Sequence, residues 1–139
     1  MRLCWIPLVG LLLVGCASNS TTEPRTTDVN LAYSRWSASH PASYSFDVSI
    51  DAFASSNGFI HVTVANGQVV QARQPYGAPD PTFTLTIDTL WNEILAARQN
   101  GSLHSAEFSL SGVPLDVDMG DWALDSGVHY TIRNFSVTR

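Results

Sequence analysis

The run Tyr44-Ser45-Phe46-Asp47-Val48-Ser49-Ile50-Asp51 switches between apolar and polar residues at every step. Successive side chains of a strand point to opposite faces, so Tyr44, Phe46, Val48 and Ile50 share one face and Ser45, Asp47, Ser49 and Asp51 the other. Such a strand is buried on one side only. It belongs to an antiparallel sheet with one covered and one wet face, because a parallel sheet, buried on both, reads as a continuous apolar run.

On its C-terminal side, residues 59–64 and 68–73 read as two further strands around Asn66-Gly67, the pair best suited to the positive φ angles of a type I′ turn. A two-residue loop sets Val64 against Val69, yet Ile60 would then share a face with Arg73, so a bulge is expected in this hairpin. Residues 74–81 hold three prolines and a glycine and read as a loop. Thr86 then caps a helix with Asp88 in its first turn and an apolar stripe of Ile87, Leu90, Trp91, Ile94 and Leu95, ended by Asn100-Gly101. Three strands follow: 105–111 with Ala106, Phe108 and Leu110 inward, 115–119 with Leu115, Val117 and Met119 inward, and 128–137. Gly112-Val113-Pro114 links the first two.

On the other side of the opening run, Asp28 caps a shorter helix whose Val29, Ala32, Tyr33 and Trp36 fall on one face, and Pro41 stops it. The order is helix and three strands, twice over. The expected fold is α+β: a single antiparallel sheet of about six strands with two helices on its apolar face. Ser43-Tyr44-Ser45-Phe46-Asp47-Val48-Ser49 is faintly echoed by Ser105-Ala106-Glu107-Phe108-Ser109-Leu110-Ser111, as a duplication would leave.

The first residues carry an address. Arg2, an apolar run from Leu3 to Val14 and Leu13-Val14-Gly15-Cys16 form the bacterial lipobox pattern. Small residues before the cut fit a narrow peptidase pocket, and the Cys16 thiol is the lipidation site. The run is too short to cross ~30 Å of hydrocarbon as a membrane span. Residues 1–15 are therefore expected to be a lipoprotein signal peptide, residues 16–27 a lipidated Cys and flexible tether, and residues 28–139 one globular domain. The tether is small and polar, with a reach of roughly 20 Å. Ala17 after the modified Cys resembles lipoproteins forwarded to the outer membrane, facing the periplasm, if the source is Gram-negative.

Composition changes once the leader is set aside. The whole chain has 139 residues, 45% hydrophobic, and net charge −5. Residues 16–139 hold 6 Arg and no Lys against 12 carboxylates, near −6. That balance argues against a nucleic-acid partner, which needs clustered cations. Cys4 leaves with the leader and Cys16 takes the lipid, so the domain has no thiol for a disulfide, a metal or nucleophilic catalysis.

Trp36, Tyr44-Ser45-Phe46, the hairpin from Val62 to Val70, Thr86-Ile87-Asp88-Thr89-Leu90-Trp91 and Gly112-Val113-Pro114 with the aspartates after it, taken in this order, resemble the bacterial lipoproteins grouped as domain of unknown function 6174. The resemblance spans roughly residues 30–137. It implies a secreted or envelope location and supplies no reaction. Many members carry a Cys pair between the first two strands. Here Asp51-Ala52-Phe53-Ala54-Ser55-Ser56 has none, so no thiol role carries over.

Motifs of known chemistry are not found. Asp116-Val117-Asp118-Met119-Gly120-Asp121 only approximates a calcium loop, with Gly120 and Asp121 each one place out of phase. Asp116 and Asp118 read instead as outward positions of a strand, and Asp121 and Asp125 as turn residues. His40, His61, His104 and His129 show no ligand spacing, no serine lies in a nucleophile elbow, and no glycine loop cradles phosphate. No catalytic residue, metal site or cofactor is assigned. The expected role is a membrane-tethered, non-enzymatic interaction module of the cell envelope, contacting an envelope protein through Asp47, Asp51, His61, Glu107, Asp116 and Asp118 on the polar face. Trp122, with Tyr76, is the loop aromatic to test for ligand or partner contact, although capping of the core edge is the commoner role for such a residue. The rival is a hydrolytic or metal-dependent enzyme in which His61 and His129 meet near Asp47 or Asp116.

Overall fold

In the computed structural model, which describes residues 24–52, 55–56 and 58–138, the alternating run is strand β2 (Tyr44–Ala52). Tyr44, Phe46 and Val48 are fully buried on one face, with Asp47 half-buried on the other. The expected hairpin is β4 (Ile60–Ala65) and β5 (Gln68–Arg73), with Asn66 at φ 52° and Gly67 at φ 73° in the turn. Val64 stands opposite Val69 and Thr63 opposite Gln71, so Val70 is the extra residue. That bulge brings Val62 and Ala72 together on the inner face and turns His61 and Arg73 outward together.

Helix α1 (Val29–Ser39) starts where Asp28 accepts from the backbone N–H groups of Asn30 and Leu31. Its C-cap is His40, at φ 22°. Helix α2 (Ile87–Asn100) starts in a box the spacing alone did not reveal: Thr86 accepts from the Thr89 N–H, and the Thr89 hydroxyl accepts from the Thr86 N–H. Gly101, at φ 80°, ends it as expected. The remaining strands are β6 (Leu103–Ser109), β7 (Pro114–Met119) and β8 (Val128–Val137).

These six strands are joined by two short ones. Arg25–Thr26, within the stretch read from composition as tether, form β1 on the outer edge of β6, and Ser55–Ser56 form β3 against the end of β2. The strands lie in the order β1-β6-β7-β8-β2-β4-β5, with β3 off this path, and every neighbouring pair is antiparallel. The last strand thus sits beside the first long one. β2 and β6 run in opposite directions, and a duplication keeping both helices on one face would relate them by a two-fold axis through the sheet. Their successors would then lie on opposite sides, whereas β4 and β7 lie on the same side. The sequence echo is the shared alternation of two half-buried strands and no symmetry.

Both helices pack on one face, α1 on β6 and α2 on β6 and β7, over a continuous core that includes Trp36, Trp91, Phe108, Val117 and Ile132. Each such fully buried side chain contributes about 1.5–3 kcal/mol by leaving water. The Trp36 indole donates to Asp88 Oδ1 at 2.8 Å, tying α1 to the first turn of α2, and the Tyr44 hydroxyl accepts from the Ile87 N–H at 3.1 Å. Burial pushes the Tyr44 phenol up to about 12. Trp91 stacks on Phe108 with centroids 4.8 Å apart and donates to the Gly112 carbonyl at 3.1 Å.

Two inward assignments are corrected. β6 ends at Ser109, so Leu110 lies in the turn and is 47% exposed. Phe108 faces Pro114 and Glu107 faces Asp116, which makes Leu115 the extra residue of a bulge, half-buried beside a groove also lined by Arg25 and Asn134. The turn itself is tight because Gly112, at φ 86°, lies against α1: a Cβ there would stand 2.1 Å from the Ala32 carbonyl oxygen and 2.6 Å from the Trp36 nitrogen. Gly112→Ala is expected to cost about 3 kcal/mol or more in urea unfolding, from both the clash and the left-handed backbone. Gly101→Ala, where a Cβ meets nothing within 4 Å, should cost only about 1 kcal/mol.

Candidate functional site

The polar residues of the alternating strands all reach the face opposite the helices, where the registers sort them into three groups. At the β6 edge, Glu107 pairs with Arg25 at 2.7 Å, both side chains about half exposed. Toward the β7–β8 loop, His129 Nε2 lies 3.1 Å from Asp116 Oδ1, while Asp118 accepts at 2.7 Å from the Trp122 indole N–H. Trp122 is 39% exposed and its ring lies on Gly127, where a Cβ would come within 2.3 Å of the indole. Asp121 caps the single 3-10 turn Trp122–Leu124 by accepting from the Ala123 N–H. Trp122 is thus fixed at the rim of the polar face by Asp118 and Gly127, and it does not close the core.

The third group lies across the centre. Asp47 stands directly opposite Arg133 on β8 and His61 on β4, and His61 stands opposite Arg73 on β5, so these four residues form one row across four strands. Asp47 Oδ1 lies 2.7 Å from His61 Nδ1, and Oδ2 accepts from the Asn134 amide at 2.7 Å with Arg133 Nε at 3.8 Å. Asn134 reaches back because the strand is irregular there. Asp47 faces Arg133 and Ser45 faces Ser136, which leaves Asn134 and Phe135 both opposite Phe46, with Asn134 in the left-handed region at φ 54°. The same bulge turns Phe135 inward onto Tyr44 and Trp36. The Arg133 guanidinium lies 3.4 Å above the Phe59 ring.

Asp47 is the group whose titration this geometry alters. Burial by itself would raise its pKa; hydrogen bonds from Asn134 and His61 and the charges of His61 and Arg133 outweigh it, so the carboxyl is held below its ordinary 3.8.

The structure does not bring His61 and His129 together. His129 faces Asp51, four residues along β2 from Asp47, which faces His61. Four residues of strand separate the two imidazoles by about 13 Å along the sheet. The register therefore keeps the two histidines out of one shared site, and no metal-ligating cluster is found among the described residues. Tyr76 is fully exposed and stands clear of the sheet. Cys16 lies outside the described residues. Sequence reasoning missed Arg73, Arg133, Asn134 and Phe59. The outward phase of Arg133 follows from Val128, Tyr130 and Ile132 facing in, but its neighbour across the sheet depends on strand order.

An antiparallel sheet with helices on one face and a half-buried, charged face on the other defines a two-layer α+β domain. The family of unknown function DUF6174 matches residues 28–137, and the chain belongs to it. No curated protein matches the chain, and no solved structure does.

A depressed carboxylate stabilises the fold above its unfolded pKa, and that contribution is lost as pH falls through the folded value. Wild type is therefore expected to melt higher than Asp47→Asn at pH 5–7, with the gap closing below about pH 4, as thermal unfolding followed by circular dichroism will show.

Proposed function

We propose that this chain is a lipid-anchored protein of the cell envelope whose domain is a non-enzymatic binding module, and that the polar face of its sheet is the contact surface. One observation carries the reading: both helices pack on the opposite face, while Asp47, His61, Glu107, Asp116 and Asp118 share the face that no other described element covers. A face kept this polar needs no helix to stabilise it, and side chains held by cross-strand partners present a surface already ordered for a partner. The lipobox ending at Cys16 supports the anchor; the acidic balance and the absence of Lys favour a protein or small ligand over nucleic acid.

Two measurements test this. Wild type should sediment with membranes, and Cys16→Ser should abolish metabolic labelling with palmitate and lose that attachment; labelled Cys16→Ser would sink the anchor. A photo-crosslinking residue placed at Thr131 or Asp116 on the polar face should trap a discrete adduct in living cells. The same probe at Asn92 or Gln99 on α2 should not. Equal trapping from α2, or none from the sheet, would remove the polar face as the contact surface.

A further inference from the structure

Within the polar face, the central row has a charge pattern unlike the rest of this acidic domain. Arg25 is paired with Glu107, Arg35 donates to the Leu110 carbonyl, and Arg98 donates to Asn30. Arg73 has no ion pair or side-chain hydrogen bond among the described residues, although it stands directly opposite His61, itself two residues of the row from Arg133. The single carboxylate of the row, Asp47, already accepts from Asn134 and His61. Basic side chains set side by side across a sheet repel one another unless a counter-charge lies between them.

The row also borders a concavity. A groove of about 440 Å³ is lined by Arg73, Arg133, His61 and Asp47 together with Phe59 and Gln71 among others. That is within the range of small-molecule sites. Two of its donors, Arg133 and His61, are held before any ligand arrives. Arg133 is flattened on Phe59 with Nε toward Asp47, which leaves its two terminal nitrogens to fork onto an oxyanion. His61 is held through Nδ1, which leaves Nε2 free of that contact. The row spans about 14 Å, three strand spacings, so the long side chains of Arg73 and Arg133 must lean toward each other over the groove to share one planar or tetrahedral anionic group.

We propose that the row Arg133–Asp47–His61–Arg73 is a binding site for the oxyanion group, carboxylate or phosphate, of a small ligand, with Arg73 and Arg133 as the charged contacts and Asp47 as the residue that positions His61 and Arg133. This rests on the polar face being the binding surface and adds the chemistry it recognises.

The test is isothermal titration of the full chain, in detergent at low ionic strength and pH 7, with inorganic phosphate and separately with succinate. Saturable binding of at least one anion is expected, weakened about tenfold or more by Arg73→Gln and by Arg133→Gln and unchanged by Arg98→Gln on α2. Arg73 is exposed on the edge strand, so Arg73→Gln keeps the fold and remains decisive if loss of the Phe59 stack unfolds Arg133→Gln. Tighter phosphate binding assigns a phosphate ligand, and tighter succinate binding a carboxylate. No saturable binding of either anion, or equal affinity in wild type and Arg73→Gln, overturns the site. If neither anion binds while polar-face crosslinks persist, only the oxyanion site falls; if phosphate or succinate binds while those crosslinks are absent, only the protein-contact reading falls.

Discussion

Two indole N–H groups are buried in this domain, and each has found an acceptor that fixes the geometry around it. Trp36 donates to Asp88 and so sets the C-terminal half of α1 against the start of α2; Trp91 donates to the Gly112 carbonyl and so sets α2 against the β6–β7 turn. A buried donor without a partner costs about 1–3 kcal/mol, so neither contact is optional. They close a circuit through the glycine. The turn lies close enough to α1 to exclude a Cβ, and in that position its carbonyl is within reach of Trp91. The sheet's apolar face is therefore roofed by two helices that cannot shift independently, and the polar face inherits a rigid backing.

This circuit accounts for part of the family resemblance. Trp36, Tyr44, Phe46, Thr86, Asp88, Trp91 and Gly112 belong to the core or its hydrogen-bonded joints. Arg73, Arg133 and His61 stand on the far side of the sheet, as do Asp116 and Asp118, and take no part in the joints.

What was legible in the sequence follows the range of the interactions involved. The alternation of Tyr44 to Asp51, the Asn66-Gly67 turn with its bulge and the capped stripe of α2 are local patterns, decided within about a dozen residues, and each reappears in the structure. Leu110 and Leu115 were misplaced because alternation was carried on past a turn and a bulge that only tertiary packing reveals. β1 and β3, of two residues each, have no periodicity to read. The central row was half visible: Asp47 and His61 stood out as polar members of alternating strands, but Arg133 came beside them only through the β2–β8 pairing, which joins residues some 85 positions apart in the chain. No local signal encodes such a neighbour, and the left-handed Asn134 that completes the cluster is a backbone choice made by the sheet.

That same pairing orders events in time. β2 is among the first of the described elements to leave the ribosome and β8 follows all the others, yet the two lie side by side in the interior of the sheet. Until the ten residues of β8 arrive, β2 has a partner on only one flank, and Phe135 is missing from the cluster around Trp36 and Tyr44. Closing so long a loop is entropically slow, and topologies dominated by distant pairings fold slowly. The domain therefore completes its fold only once β8 has been made, and a chain halted short of residue 128 is left with an open central edge that invites association with others of its kind.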